Sequence, residues 1–198
     1  MKKIMFNDKY GLTDAVLEGR KTMTRRIATT EEIECPNIGW GIEGKERGKR
    51  VLCSCSEILA MSRYSKGEVV AIAQSYKSIF EKSLNYALPR YHWLDDHIDE
   101  KGYANKMFVK AGEMPHHIKI TDIKVERLQD ISDEDCLKEG IKEFSGGYGV
   151  KFGDNHNLFS NTPRTAFAAL IDKVSGKGTW ENNPWVFAYE FELIKTES

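Results

Sequence analysis

Between His116 and Leu128 the apolar positions change phase: Ile118 and Ile120 fall on one parity of an extended chain, Ile123 and Val125 on the other. Alternate side chains of a strand point to opposite faces, so one regular strand cannot bury both pairs on the same side. A single extra residue near Thr121-Asp122, a β-bulge, reconciles them, and bulges bend long strands into strongly curved or closed sheets. A second strand, Trp185 to Leu193, sets Trp185, Phe187, Tyr189, Phe191 and Leu193 on one face and Glu190 and Glu192 on the other. Gly67 to Ala73, a short apolar run behind a turn signal, predicts a third, buried strand.

Helices are expected around this sheet, giving an α+β fold. Leu12, Ala15 and Val16 predict a helix from about Asp8 to Glu18, capped by Asn7 or Asp8 and ended by Gly19. Ser132, followed by Asp133, Glu134 and Asp135, predicts a short helix that stops at Gly140, with Ile131 and Cys136 as its hydrophobic staple. Thr162-Pro163 opens another, whose Phe167, Leu170, Ile171 and Val174 should cover the sheet. Gly146 to Gly149 reads as a loop, and Gly39 to Arg50 as an exposed loop or hairpin. The stretch 75–112 mixes aromatics and charges without a period and reads as an irregular insertion. With 198 residues, 40% of them hydrophobic, one domain over 1–198 is expected, with insertions at about 28–66 and 75–112.

Lys and Arg number 29 against 30 Asp and Glu, so no global basic field draws the chain to polyanions and any nucleic-acid site must be local. No apolar stretch approaches the roughly 18 residues of a membrane span, and the N-terminal apolar run is too short for a signal peptide. The four cysteines, Cys35, Cys53, Cys55 and Cys136, do not form a disulfide framework. A cytoplasmic protein with no membrane partner is the expectation. Cys53-Ser54-Cys55 has the wrong spacing for zinc and no second pair. His92, Asp95, Asp96, His97 and Asp99 read as a solvated polar stretch, and His116 and His117 face opposite ways, so no metal or cofactor is expected. Trp180, Trp185, Tyr189 and Phe191 can stack bases, although their alternation reads first as core.

The densest polar feature is Gly19-Arg20-Lys21-Thr22-Met23-Thr24-Arg25-Arg26, four cations and two hydroxyls directly after a helix. Such a cluster can hold phosphate or a base edge. It can equally be Arg20 and Lys21 complementing the helix C-terminus ahead of a solvated strand. In a regular strand Lys21 and Thr24 point to opposite faces, so they converge only where the chain is bulged or turned.

The helix followed by Gly-Arg-Lys-Thr and Thr-x-Arg resembles the N-terminal signature of the ASCH (activating-signal-cointegrator homology) family. Val125-Glu126-Arg127-Leu128-Gln129-Asp130-Ile131-Ser132, with Asp135 and Glu139-Gly140-Ile141 behind it, is similar to the strand-to-helix segment of ASCH proteins from bacteria and prophages, and Trp180-Glu181-Asn182-Asn183-Pro184-Trp185 fits the same subgroup. The resemblance implies a PUA-like fold, a small curved β-barrel flanked by short helices, with a cleft for RNA or a modified nucleoside. In some small members it implies an amidohydrolase acting on cytidine acylated at its exocyclic nitrogen. The Lys, Thr and Glu of that activity match Lys21, Thr24 and Glu139. Lys21, its pKa lowered by burial and by neighbouring arginines, takes the Thr24 proton, Thr24 attacks the amide carbonyl, and Glu139 moves a proton to the leaving amine or activates water, with no metal or cofactor. Arg20, Thr22, Arg25 and Arg26 are then the candidates for holding RNA or nucleoside. The alternative from the same residues is a non-catalytic RNA-binding module of prophage origin.

Overall fold

The structure is a computed structural model that describes residues 1–28, 59–82, 96–152 and 156–194, together with the backbone of short strands between 34 and 52. Its strands are β1 (Lys3–Ile4), β2 (Met23–Ile27), β3 (Glu34–Cys35), β4 (Trp40–Gly41), β5 (Glu43–Glu46), β6 (Lys49–Leu52), β7 (Val69–Ile72), β8 (His117–Arg127), β9 (Lys142–Phe144), β10 (Gly147–Phe152), β11 (His156–Ser160) and β12 (Trp185–Ile194). Its helices are α1 (Leu12–Leu17), α2 (Tyr76–Lys82), α3 (Asp133–Lys138), α4 (Pro163–Ser175) and α5 (Thr179–Asn182). The fold is α+β.

Five strands form the main sheet in the order β1-β7-β8-β12-β2, antiparallel except for β1 beside β7. The long β8–β12 pair is its spine, and the expected bulge is there: Glu190 pairs with Asp122 and Phe191 with Ile120, which leaves Thr121 as the extra residue. The slip returns Ile118, Ile120, Ile123 and Val125 to one face, opposite Leu193, Phe191, Tyr189 and Phe187. Val70 and Ile72 of β7 extend this face, and α4 covers it with Ala166, Phe167, Leu170 and Ile171. The other face is solvated along most of β8 but carries Ala71 and Ala73, on which Tyr76, Ile79, Val109 and Met114 build a second, smaller core.

The sheet does not close into a barrel. Among the described residues β1 and β2 are its edges, and neither pairs with a further strand. β1 is two residues long, and both pair with β7 before the chain turns at Asn7. A side chain bridges the two edges: Arg26 of β2 donates from Nη2 to the Met5 carbonyl and stands 6.0 Å from the Phe6 ring.

Three further expectations change. The first helix is broken into a 3-10 turn, Asp8–Tyr10, and α1, because Gly11 takes a left-handed conformation (φ 63°) between them. Gly146 and Gly147 open no loop. They complete a two-residue hairpin from Phe144 to Gly147, in a three-stranded antiparallel sheet of order β11-β10-β9. The stretch 75–112 holds α2, begun by Ser75, whose hydroxyl accepts from the Ser78 N–H, and 3-10 turns at Lys106–Phe108 and Ala111–Glu113. Residues 83–95 of that insertion, with His92 and Asp95, lie outside the described residues, as do Cys53-Ser54-Cys55. Between 34 and 52 the backbone pairs as β3–β4 and β5–β6, which matches the hairpin alternative of the expectation for Gly39 to Arg50.

The capping expectations for α3 and α4 are met. Ser132 accepts from the Asp135 N–H, Ile131 and Cys136 are both fully buried in the main core, and Thr162 closes a capping box with Thr165 around Pro163. Gly140 ends the α3 turn at φ 103°, a conformation that L side chains rarely adopt, with Leu12 and Lys21 3.4–3.5 Å from where a Cβ would stand. Gly140→Ala should therefore cost about 1 kcal/mol or more through backbone strain rather than a clash. In a thermal melt this lowers Tm by about 2–4 °C per kcal/mol; an unchanged Tm would show that the turn relaxes freely.

Candidate functional site

The doubt about Lys21 and Thr24 is resolved by where the strand begins. β2 starts at Met23, and Lys21 belongs to the turn after α1, where the Arg20 and Lys21 N–H groups both donate to the Ala15 carbonyl. The Thr22 N–H then donates to the Lys138 carbonyl, docking the turn on the end of α3, and the Thr22 carbonyl accepts from Phe191 of β12. Thr24 enters the sheet opposite Tyr189. Lys21, Thr24 and Glu139 consequently line one cavity of about 400 Å³, with Phe6, Tyr64, Phe187 and Tyr189 among its apolar walls. A volume in the range of roughly 300–1,000 Å³ is typical of small-ligand sites.

Glu139 is the hub. It caps α3, where its own N–H donates back to Asp135, and its side chain is 6% exposed. Lys21 Nζ donates to Glu139 Oε2 at 2.6 Å, to the Glu139 carbonyl at 2.7 Å and to the Met23 carbonyl at 2.7 Å, which engages all three ammonium hydrogens. Arg25 Nη1 donates to Glu139 Oε1 at 3.2 Å, so each carboxylate oxygen has its own cation. Burial holds the Lys21 pKa below the ordinary lysine value, with Glu139 opposing that shift and Arg26 and Arg25 adding to it. Thr24 is a buried residue that lines the same cavity, and its hydroxyl makes no hydrogen bond to a described residue.

The four binding candidates separate. Arg25 is 1% exposed and faces protein: Nε and Nη2 meet Glu126 Oε1 at 2.9 and 2.6 Å, and Nη2 meets Asp135 Oδ2 at 3.0 Å. Its guanidinium is raised in pKa by Glu139, Glu126 and Asp135 against the lowering by burial, which is the largest single influence. Arg20 points outward and pairs with Glu18 at 2.6 Å, and Thr22 contributes backbone bonds. Arg26 lines the cavity. Sequence reasoning missed Tyr64 and Arg63, which reach the same cavity from the end of the first insertion; a lone Arg-Tyr step in an aperiodic stretch carries no pattern to find.

Other candidates fall elsewhere. Tyr189 and Phe191 are core, and Trp180 and Trp185 are half-buried beneath Arg164 and Arg127, so no open stacking platform is formed. His97 is not merely solvated: its Nε2 lies 2.9 Å from Glu113 Oε2, which also accepts from the Tyr76 hydroxyl at 2.6 Å. Burial pushes the Cys136 thiol up to about 12, far from reactive. Among the described residues no group of three His, Cys, Asp or Glu is placed to hold a metal, and no helix is long and apolar enough to cross a membrane.

Removing one partner of a buried ion pair strands the other, at a cost of about 3–5 kcal/mol. Glu139→Gln should destabilise by that order at neutral pH. Between the lowered folded-state pKa of Lys21 and its unfolded value of about 10.5, the native state binds fewer protons than the unfolded chain, so stability rises with pH across that window. With the opposing carboxylate gone the window widens, and urea melts should show Glu139→Gln recovering more stability than wild type from pH about 7 to about 9.5. Equal recovery in both proteins would mean that Lys21 is not held charged by Glu139. Set against protein-family models, curated proteins and solved structures, the chain matches none.

Proposed function

We propose that this chain is a single-domain, cytoplasmic ASCH-type protein with a PUA-like fold left open between β1 and β2, and that its cavity accepts a modified nucleoside and hydrolyses an N-acylated cytidine. The observation that carries this reading is that Lys21, Thr24 and Glu139 line one cavity, with Lys21 and Glu139 in direct contact and the Thr24 hydroxyl bonded to no described residue. Residues 118 positions apart are brought together there at the cost of burying a charged pair, an arrangement that fold stability alone does not favour.

The chemistry balances without a metal. Lys21 passes a proton across the 2.6 Å contact to Glu139 and becomes an amine. On substrate binding that amine exchanges its contact with the Met23 carbonyl for the Thr24 hydroxyl and takes the hydroxyl proton as Thr24 Oγ bonds to the acyl carbon. The carbon–nitrogen bond breaks, the Glu139 proton goes to the departing amine, and cytidine leaves. Water then cleaves the Thr24 ester, returning the hydroxyl and releasing the carboxylic acid. Phe6, Tyr64 and Tyr189 give the cavity apolar lining of the kind that accepts a base.

A non-catalytic RNA-binding module using Arg20, Lys21, Arg25 and Arg26 has less support, because Lys21 and Arg25 are engaged inside the protein. The test is hydrolysis of N4-acetylcytidine, followed by chromatography, for wild type beside Lys21→Ala, Thr24→Ala and Glu139→Ala. Turnover by wild type that falls by at least about 100-fold in each variant is expected for a nucleophile and its proton-transfer partners. Folded wild type with no turnover above the variants would sink the hydrolase reading.

A further inference from the structure

Among the described residues five cations line the cavity, and their partners sort them into two groups. Lys21 and Arg25 are held by Glu139, with Glu126 and Asp135 completing the Arg25 shell, and Lys3 Nζ donates to the Met107 and Val109 carbonyls at 2.7 Å each. Arg26 and Arg63 differ. Arg26 is half-buried and makes one hydrogen bond, to the Met5 carbonyl, and no ion pair with any described residue. Arg63 makes no side-chain hydrogen bond or ion pair with a described residue, and its guanidinium lies 5.6 Å from the Tyr64 ring centre.

A guanidinium carries five N–H donors in a planar fork that fits two oxygens of a phosphate or carboxylate. Arg63 is exposed and Arg26 half-buried, so their unpaired donors are left to the water of the cavity, which an anion can replace with charge-assisted bonds. Glu139, the one carboxylate among the described residues that line the cavity, is already taken by Lys21 and Arg25, so a bound anion would supply the acceptors that Arg26 and Arg63 lack among the described residues. We propose that Arg26, with Arg63 beside it, is an anion subsite, and that the ligand of this cavity is a nucleoside monophosphate whose phosphate sits on these two arginines while its base lies against the aromatic walls. This rests on the nucleoside reading above for the body of the ligand. About 400 Å³ suits one nucleotide rather than a length of strand. Arg63 and Tyr64 come from the insertion that ends before β7, so the phosphate preference is supplied by the part of the chain outside the three resemblance motifs.

Burial lowers the Arg26 pKa, with Arg63 adding to that and Tyr64 and Glu139 opposing it. An arginine nonetheless stays charged at any working pH, so the subsite is present throughout the pH range of the protein.

The experiment is titration calorimetry of the whole chain with N4-acetylcytidine, its 5′-monophosphate and inorganic phosphate, at low and at physiological salt. The monophosphate should bind about ten-fold or more tightly than the nucleoside, with the gap narrowing as salt rises. Arg26→Gln should bring the two dissociation constants together, Arg26→Lys should keep part of the gap, and Arg63→Gln, a change at an exposed position, should narrow it in a fully folded protein. Equal affinities in wild type, a gap that survives both Gln variants, or no binding of any of the three compounds would overturn the subsite. Tighter binding of a short oligoribonucleotide than of the monophosphate would also overturn it, in favour of a strand. A gap that holds without turnover of either acetylated compound leaves the subsite standing and removes the hydrolase; turnover of both with equal affinity does the reverse.

Discussion

A carboxylate at the end of a six-residue helix is what the site depends on. Glu139 caps α3 at the end where the helix dipole opposes a negative charge, and it is buried there. Two cations from the turn and strand that follow α1 hold it, one on each oxygen. Satisfying that carboxylate fixes the distance between α3 and β2, and with it the placing of Thr24 and Arg26 on the cavity side of β2. Removing the hub leaves Lys21 and Arg25 facing each other across a desolvated gap, so the site and the packing of this edge of the sheet stand or fall together.

The rest of the fold supplies walls. The Thr121 bulge lets β8 present Ile118, Ile120, Ile123 and Val125 on one face, and β12 adds Phe187, Tyr189 and Phe191 to it. α4 closes that face from one side, and the segment ending at Tyr64 reaches it from another. The sheet's two edges are joined by Arg26 reaching Met5 rather than by a backbone ladder. One arginine therefore both bridges the open side of the sheet and lines the cavity.

Much of this was legible in the sequence because it rests on local rules. The bulge followed from a parity change that only one extra residue repairs, and the starts of α3 and α4 followed from Ser132 and Thr162-Pro163. What was hidden depends on contacts distant in the chain. Nothing near Arg25 marks it as an internal clamp for Glu126, Asp135 and Glu139, and read locally it is one more exposed cation. The meander of β9, β10 and β11 was hidden because polar Lys142 and Glu143 mask one strand and Gly147 and Gly149 another. The break at Gly11 was hidden because the apolar spacing runs straight through it. The expected barrel closure was not met, since β1 pairs only with β7 and β2 only with β12 among the described residues.

The central claim is that the Lys21–Glu139 pair prepares Thr24 to take an acyl group. Its most direct test is acid-quenched mass spectrometry of the protein mixed with N4-acetylcytidine, followed by peptide mapping. The account predicts a mass gain of one acetyl group confined to the peptide carrying Thr24, absent from Thr24→Ala and from Lys21→Ala. Cytidine released with no acetyl group on the protein, or an acetyl group carried by any other residue, would contradict it.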